Sequence, residues 1–305
     1  MGGLYSEPNR IEEQPMTQII ENFAEITDQY DALFVDLWGC MHNGLTSFPA
    51  AVKAMQDYRK KGGKVIFVTN APRAWDLVAK QMNRFGIPDD SFDAIATSGD
   101  AARVALFTGA VGQKVYFIGE AHDYSFFEPI KVVENPLEIT RVPLEEAEGI
   151  VNCGPFDPHA EPDVMRPEFL FAREKGMKML CANPDIVIDR GETREYCAGA
   201  LAQLYAEMGG ESLYFGKPHP PIYDLARRRL AQLDMNADEA RILCIGDGIK
   251  TDISGAEGEG YDSLFITGGL AAEETATKVQ PDAELLNAYL QKEKQSPTYA
   301  IGFLR

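Results

Sequence analysis

Short apolar runs recur along the chain at Ala32–Val35, Val65–Val68, Val115–Ile118, Ile150–Val151, Met179–Ala182, Ile242–Ile245 and Leu264–Ile266. Each is too short for an ordinary helix, and many are rich in Val, Ile and Phe, the composition of strands buried on both faces of a parallel sheet. Helical periodicity fills the intervals. Pro49–Lys61 reads as a helix capped by Ser47 and ended by Gly62 and Gly63, and Pro72–Phe85 as another, stopped by Gly86 and Pro88. Arg166–Lys175, Ala198–Met208 and Pro220–Leu233 follow, the first two closing on glycines. This alternation predicts an α/β fold built on a doubly wound, Rossmann-like parallel sheet.

Polar residues stand where several of these runs end. Asp36 follows the first run, Thr69 and Asn70 follow the second, and Asp247 follows the run that closes at Ile245. Doubly wound sheets bind ligands beyond the carboxyl ends of their strands, so three such endings on neighbouring strands predict one site from distant segments. Polar residues also begin ordinary loops, but three endings of these residue types go beyond that. Asp36 could attack phosphorus or bind a hard cation. Asp247 and Asp252, set among Gly246, Gly248 and Gly255, add two further acids. Clustered carboxylates repel one another unless a cation neutralises them, and oxygen ligands of this kind suit Mg²⁺. Thr69 offers a hydroxyl to a phosphate oxygen, and Lys217, in a Gly–Lys–Pro turn, offers a point charge. A nucleophile, a metal, a hydroxyl and a cation are the parts that phosphoryl transfer needs.

Composition narrows the partners. The chain has 305 residues, enough for two domains, with 29 basic against 47 acidic residues and a net charge of −18. Such a surface repels nucleic acid and anionic membrane, and an anionic substrate needs a local positive site against this field. The five cysteines include no CxxC pair, which favours reduced thiols over a zinc site or a disulfide framework. The polar, acidic N-terminus has no signal-peptide pattern and no run is long enough to span a membrane, so a cytoplasmic location is expected. A homo-oligomer is left open.

At this point the residues carry a resemblance. VDLWGCMHNG, VIFVTNAPR, FGKPHPPIYDLA and CIGDGIKTDISGAEGEGYDSLFITGG resemble, in order, the four motifs of the haloacid dehalogenase superfamily in its class IIA branch. That branch includes p-nitrophenylphosphatase-like enzymes and phosphatases of sugar phosphates, nucleotides and pyridoxal phosphate. The resemblance runs from about Asp31 to Gly269. It implies a Mg²⁺-dependent phosphatase acting on a small phosphorylated metabolite. Asp36 forms an aspartyl-phosphate and shares the metal with Asp247, Asp252 and the backbone carbonyl of Trp38. Thr69, Asn70 and Lys217 hold the phosphoryl group. It also implies an inserted α/β cap over residues 97–210, with residues 1–96 and 211–305 forming a discontinuous core. Asn183 and Asp185, in the CANPD segment of that cap, are expected to line the substrate pocket, although an Asx–Pro pair is also an ordinary turn starter.

One position departs from the family pattern. Phosphatases of this family carry a second aspartate two residues after the nucleophile, which protonates the leaving oxygen and then activates water. Here Trp38 stands there, and an indole N–H only donates. His42 is the first candidate for the missing acid, with a plain loop histidine as the commoner reading. His219, beside Lys217, reads equally as a substrate contact or a turn residue, Cys40 as a buried small residue rather than a nucleophile, and Arg190, Glu192 and Arg194 as a charged loop. Without the second acid, activated esters are expected to turn over better than alkyl ones. Two alternatives stay open: another reaction on this scaffold, such as dehalogenation or phosphonate cleavage, and a phosphate-binding regulatory protein that has lost turnover.

Overall fold

The computed structural model describes residues 17–128, 133–190 and 193–305. In chain order the strands are β1 (Gln18–Ile19), β2 (Ala32–Val35), β3 (Lys64–Thr69), β4 (Ala94–Thr97), β5 (Lys114–Ile118), β6 (Thr140–Arg141), β7 (Gly149–Asn152), β8 (Lys178–Cys181), β9 (Val187–Arg190), β10 (Thr193–Tyr196), β11 (Glu211–Tyr214), β12 (Ile242–Gly246), β13 (Asp262–Ile266) and β14 (Tyr299–Ile301). The α-helices are α1 (Pro49–Lys60), α2 (Trp75–Phe85), α3 (Ser98–Phe107), α4 (Arg166–Glu174), α5 (Ala198–Glu207), α6 (Pro220–Ala231), α7 (Ser254–Gly258) and α8 (Ala283–Glu293). Two parallel sheets result. One has seven strands in the order β1-β14-β13-β12-β2-β3-β4, the other five in the order β11-β8-β7-β5-β6. β9 and β10 form a separate antiparallel hairpin.

The seven-stranded sheet is doubly wound because its strands are apolar on both faces. In β2, Leu33 and Val35 pack with α1 and α2, through Val52, Met55, Val78 and Met82. Ala32 and Phe34 point the other way, into Ile222, Tyr223, Ala226 and Leu230 of α6. The same alternation splits Val65 and Phe67 from Ile66 and Val68 in β3, and Leu243 and Ile245 from Ile242 and Cys244 in β12. Side chains one residue apart on a strand leave by opposite faces, so a run that is apolar throughout demands helices on both sides. The five-stranded sheet repeats the scheme. Phe169 of α4 and Leu201 and Tyr205 of α5 cover one face, and Ala102 and Leu106 of α3 cover the other.

Several sequence expectations are corrected here. Ser47 does not cap α1; its hydroxyl donates to the Gly86 carbonyl at 3.4 Å, and Phe48 occupies the cap position. α2 begins at Trp75 rather than Pro72, with Ala74 in extended backbone at the cap position. Arg190 and Arg194, read as part of a charged loop, lie in β9 and β10, which pair antiparallel; Glu192 lies outside the described residues. Residues 211–214, placed in the returning core, form β11 and pair with β8, Glu211 opposite Lys178 and Tyr214 opposite Cys181. All five cysteines are unpaired and buried. Among the described residues no helix is long and apolar enough to cross a membrane.

Candidate active site

β12, β2 and β3 lie side by side, so the polar residues at their carboxyl ends converge. Asp36 leaves β2 with its backbone N–H donating to the Ile245 carbonyl of β12 at 2.8 Å, which sets it beside Asp247. Thr69 ends β3. Lys217 enters from the loop between β11 and α6. Its ammonium donates to Asp36 Oδ1 at 2.5 Å and to Asp252 Oδ1 at 2.7 Å. Asp252 sits on a π-helical turn, Ile249–Ile253, that opens directly behind β12, and its Oδ2 accepts from the Gly248 N–H at 3.1 Å. Asp36, Asp247, Asp252 and Lys217 are all buried.

Close backbone approach fixes Asp247. A Cβ on Gly39 or on Gly269 would lie 2.0 Å from its Oδ2, so only glycines admit the carboxylate between these two loops. Gly39 also holds φ +74°, a conformation glycine adopts at little cost. Asp247 Oδ2 accepts from the Leu270 N–H at 3.1 Å.

The electrostatics follow from burial. Burial pushes the Asp36 carboxyl up to about 7, with Lys217 pulling the other way. Burial likewise drives Asp247 well above the usual carboxylate range, and the neighbouring Asp36 and Asp252 add to it. Burial alone would discharge Lys217, but the two carboxylates against it hold it charged, well above the ordinary lysine range. We therefore treat Lys217 as a cation shared by Asp36 and Asp252. One ammonium faces three buried acids, and without a second cation Asp36 and Asp247 are pushed towards their neutral forms.

The other residues singled out by sequence meet around the same cavity. Asp36, Trp38, Thr69, Asn70, Asn183, Asp185, Lys217, Asp247 and Asp252 all line it. Thr69 Oγ1 accepts from the Ala71 N–H at 3.2 Å, which leaves its own O–H to donate. The Asn70 side chain is committed elsewhere than to a ligand. Its Oδ1 accepts from the Lys217 N–H at 2.7 Å, and its Nδ2 donates to the Lys217 carbonyl at 3.2 Å and to Asp185 Oδ1 at 2.8 Å. Asn183 Oδ1 accepts from the Asp185 N–H at 3.0 Å, an Asx turn. The Trp38 indole packs edge-on to His42, ring centroids 5.2 Å apart, and covers Gly44. His42 is buried, accepts at Nδ1 from the Gly44 N–H at 3.0 Å, and is pushed down to about 4 by burial. His219 stacks on Tyr214, ring centroids 4.8 Å apart, and is not among the cavity's lining residues.

Sequence reasoning missed part of this wall. Val187 and Ile188 reach the cavity from β9, and Arg73, Gln81 and Leu270 from the core side. Arg73 sits within VIFVTNAPR, so a cation beside Thr69 was available as a signal. Cys40 also belongs here. Its thiol and the carboxylates of Asp36 and Asp247 offer ligand atoms within 4.8 Å of one another. Burial, with those carboxylates alongside, drives the thiol well above its ordinary range, so it stands as a neutral wall.

The fold and these residues define a class. A family model described as haloacid dehalogenase-like hydrolase matches residues 33–131, and a HAD-hydrolase-like model matches residues 214–291. The chain belongs to the haloacid dehalogenase-like hydrolase family. It is 36% identical to a haloacid dehalogenase-like hydrolase from Brucella suis, over 94% of this chain and 100% of that one, with a TM-score of 0.81. Phosphoglycolate phosphatase 2 of Arabidopsis thaliana is 24% identical over 86% of this chain and 92% of its own length. A glycerol phosphate phosphatase from Mycobacterium tuberculosis, solved in complex with calcium, shares the fold at a TM-score of 0.63 and 23% identity, over 90% of this chain and 74% of that one.

Proposed function

We propose that this protein is a phosphatase of small phosphorylated metabolites that passes the phosphoryl group through Asp36 to water. The observation that carries the reading is the pair of bonds from Lys217 to Asp36 and Asp252, beside Thr69, at the carboxyl end of the sheet. Relatives named as phosphatases support it over dehalogenation and over a binding protein without turnover. In this reading a carboxylate oxygen of Asp36 attacks phosphorus in line with the leaving oxygen, forming an aspartyl-phosphate that water then cleaves. Lys217 balances the charge that gathers on the phosphoryl oxygens, and the Thr69 hydroxyl donates to one of them. Asn70 holds both the N–H and the carbonyl of Lys217, and so sets where its side chain enters.

A divalent cation fits the donor set. Three buried carboxylates face one ammonium, and the Asp36, Asp247 and Asp252 oxygens with the Trp38 carbonyl are hard ligands. These suit Mg²⁺ better than a thiolate-seeking metal. When bound, Mg²⁺ supplies charge neutralisation at the transferring phosphoryl group. The five-stranded sheet with its helices, residues 97–214, acts as a cap. It supplies Asn183, Asp185, Val187 and Ile188 to the cavity, selects the substrate and excludes water during transfer.

The test is a panel of phosphate esters with and without Mg²⁺, on wild type and Asp36→Asn. Turnover that needs Mg²⁺ and vanishes in Asp36→Asn is expected. Turnover surviving in Asp36→Asn removes the nucleophile assignment, and a wild type inert across the panel removes the phosphatase.

A further inference from the structure

An indole two residues after the nucleophile leaves the reaction without its usual proton carrier, and the cavity offers another. We propose that Asp185 is that carrier: it donates to the leaving oxygen as Asp36 is phosphorylated, and accepts from water as the aspartyl-phosphate is hydrolysed. The inference rests on the phosphatase reading above.

The carboxylate is held as a catalytic group would be. Residues 183–185 form a turn pinned by two close approaches. A Cβ on Gly199 would lie 2.1 Å from the Pro184 carbonyl oxygen, and one on Gly216 would lie 2.4 Å from Asn70 Oδ1 and 2.6 Å from Pro184 Cδ. The Gly199 N–H donates to the Asp185 carbonyl at 3.0 Å, and Asn183 accepts from its N–H. Asn70 then orients the side chain by donating to Oδ1 at 2.8 Å. Among the described residues Oδ2 has no hydrogen-bond partner, and the residue lines the cavity that holds Asp36. One oxygen fixed and one left open is what a proton carrier needs.

Position and charge agree with this role. Asn183, Asp185, Val187 and Ile188 line the same cavity as Asp36, so a phosphate ester held against Asp36 shares that cavity with the Asp185 carboxyl. Burial raises the Asp185 carboxyl above its ordinary range against the pull of Lys217 and the Asn70 hydrogen bond, with Asp252 adding to the rise. An arriving phosphate dianion is one more negative neighbour and favours the protonated form further. His42, the other candidate, spends Nδ1 on the Gly44 N–H and lies buried against the indole, where an imidazolium is disfavoured.

The protons balance over the cycle. Asp36 forms its bond to phosphorus as the bond from phosphorus to the leaving oxygen breaks. The Asp185 proton passes to that oxygen, releasing the alcohol and leaving Asp185 ionised. Water then attacks phosphorus, its proton returns to Asp185, and the bond between phosphorus and Asp36 breaks to give inorganic phosphate and free Asp36.

Asp185→Asn separates this role from a positional one, because the amide oxygen still accepts from Asn70 while the proton is lost. Wild type and variant are compared on phenyl phosphate and p-nitrophenyl phosphate, which share a shape but differ in the basicity of the leaving oxygen. We expect kcat/KM, which reports the steps up to phosphorylation of Asp36 and not the shared hydrolysis that follows, to fall about a hundredfold or more on phenyl phosphate and less than about tenfold on p-nitrophenyl phosphate. The retained activity on the nitro ester shows that the variant is folded. Equal losses on both esters, or no loss on either, overturn the proposal and leave the phosphatase reading standing. A wild type inert on both esters and on the wider panel removes the two together.

Discussion

The Trp38 indole occupies a slot that a single neighbouring residue keeps open. Gly44 holds φ +83°, and a Cβ there would lie 2.5 Å from Cζ2 of the indole. Gly44→Ala therefore meets two penalties, left-handed backbone strain of about 1–2 kcal/mol and displacement of the ring. We expect a lower urea midpoint together with shifted tryptophan emission; Trp75 is the only other tryptophan, and it lies at the start of α2. An unchanged midpoint and spectrum would place the indole elsewhere. The same neighbourhood explains why His42 reads ambiguously in sequence. Its role depends on Nδ1 meeting the Gly44 N–H and its ring meeting Trp38 and Phe85, contacts among residues whose approach no local pattern encodes.

At the scale of elements, the β9–β10 hairpin is the part of the cavity wall free to vary without touching the chemistry. Val187 and Ile188 are half-buried and line the cavity, while Lys217, Asp36 and Asp252 bond to one another on other elements. Ile188→Ala should weaken kcat/KM for a bulky aryl phosphate by about tenfold or more while leaving acetyl phosphate near wild type. Equal losses on both esters would give the hairpin a structural role instead. The hairpin and β11 escaped the sequence reading for one reason: both mix charged with apolar residues. What makes VIDR and ESLY strands is the partner each finds, β10 for the first and β8 for the second. The wholly apolar runs in β2, β3 and β12 needed no such partner to be recognised, because a segment apolar on both faces has few other places to go.

At the scale of the molecule, a net charge of −18 surrounds a cavity that, as a phosphatase site, would have to take an anion. The protein's field should slow the approach of a phosphate dianion and leave only the cations at the site to attract it. Raising the salt from about 10 mM to 150 mM shortens the screening length from about 30 Å to about 8 Å. At saturating Mg²⁺, kcat/KM for a dianionic ester should therefore rise with KCl, measured below KM. A fall would mean that Lys217 and Arg73 dominate the field at the mouth.

The sequence by itself determined the parallel α/β core, the two-layer winding about it, and the convergence of Asp36, Thr69 and Asp247. These follow from which strands are apolar throughout and from the rule that such strands end together at one edge of the sheet. It also placed Asp252 and Lys217 with them, through the motifs that resemble those of the family. Only the tertiary structure decided what each polar side chain does there. Asn70, expected to hold phosphate, spends its amide on Lys217 and Asp185. Asp185, expected among substrate contacts, is a clamped carboxylate with one oxygen open. Hydrogen-bonding partners at the site lie up to 181 residues apart in the chain, as Lys217 and Asp36 do. Whether a donor is free or taken depends on distances of tenths of an ångström, which composition and spacing do not carry.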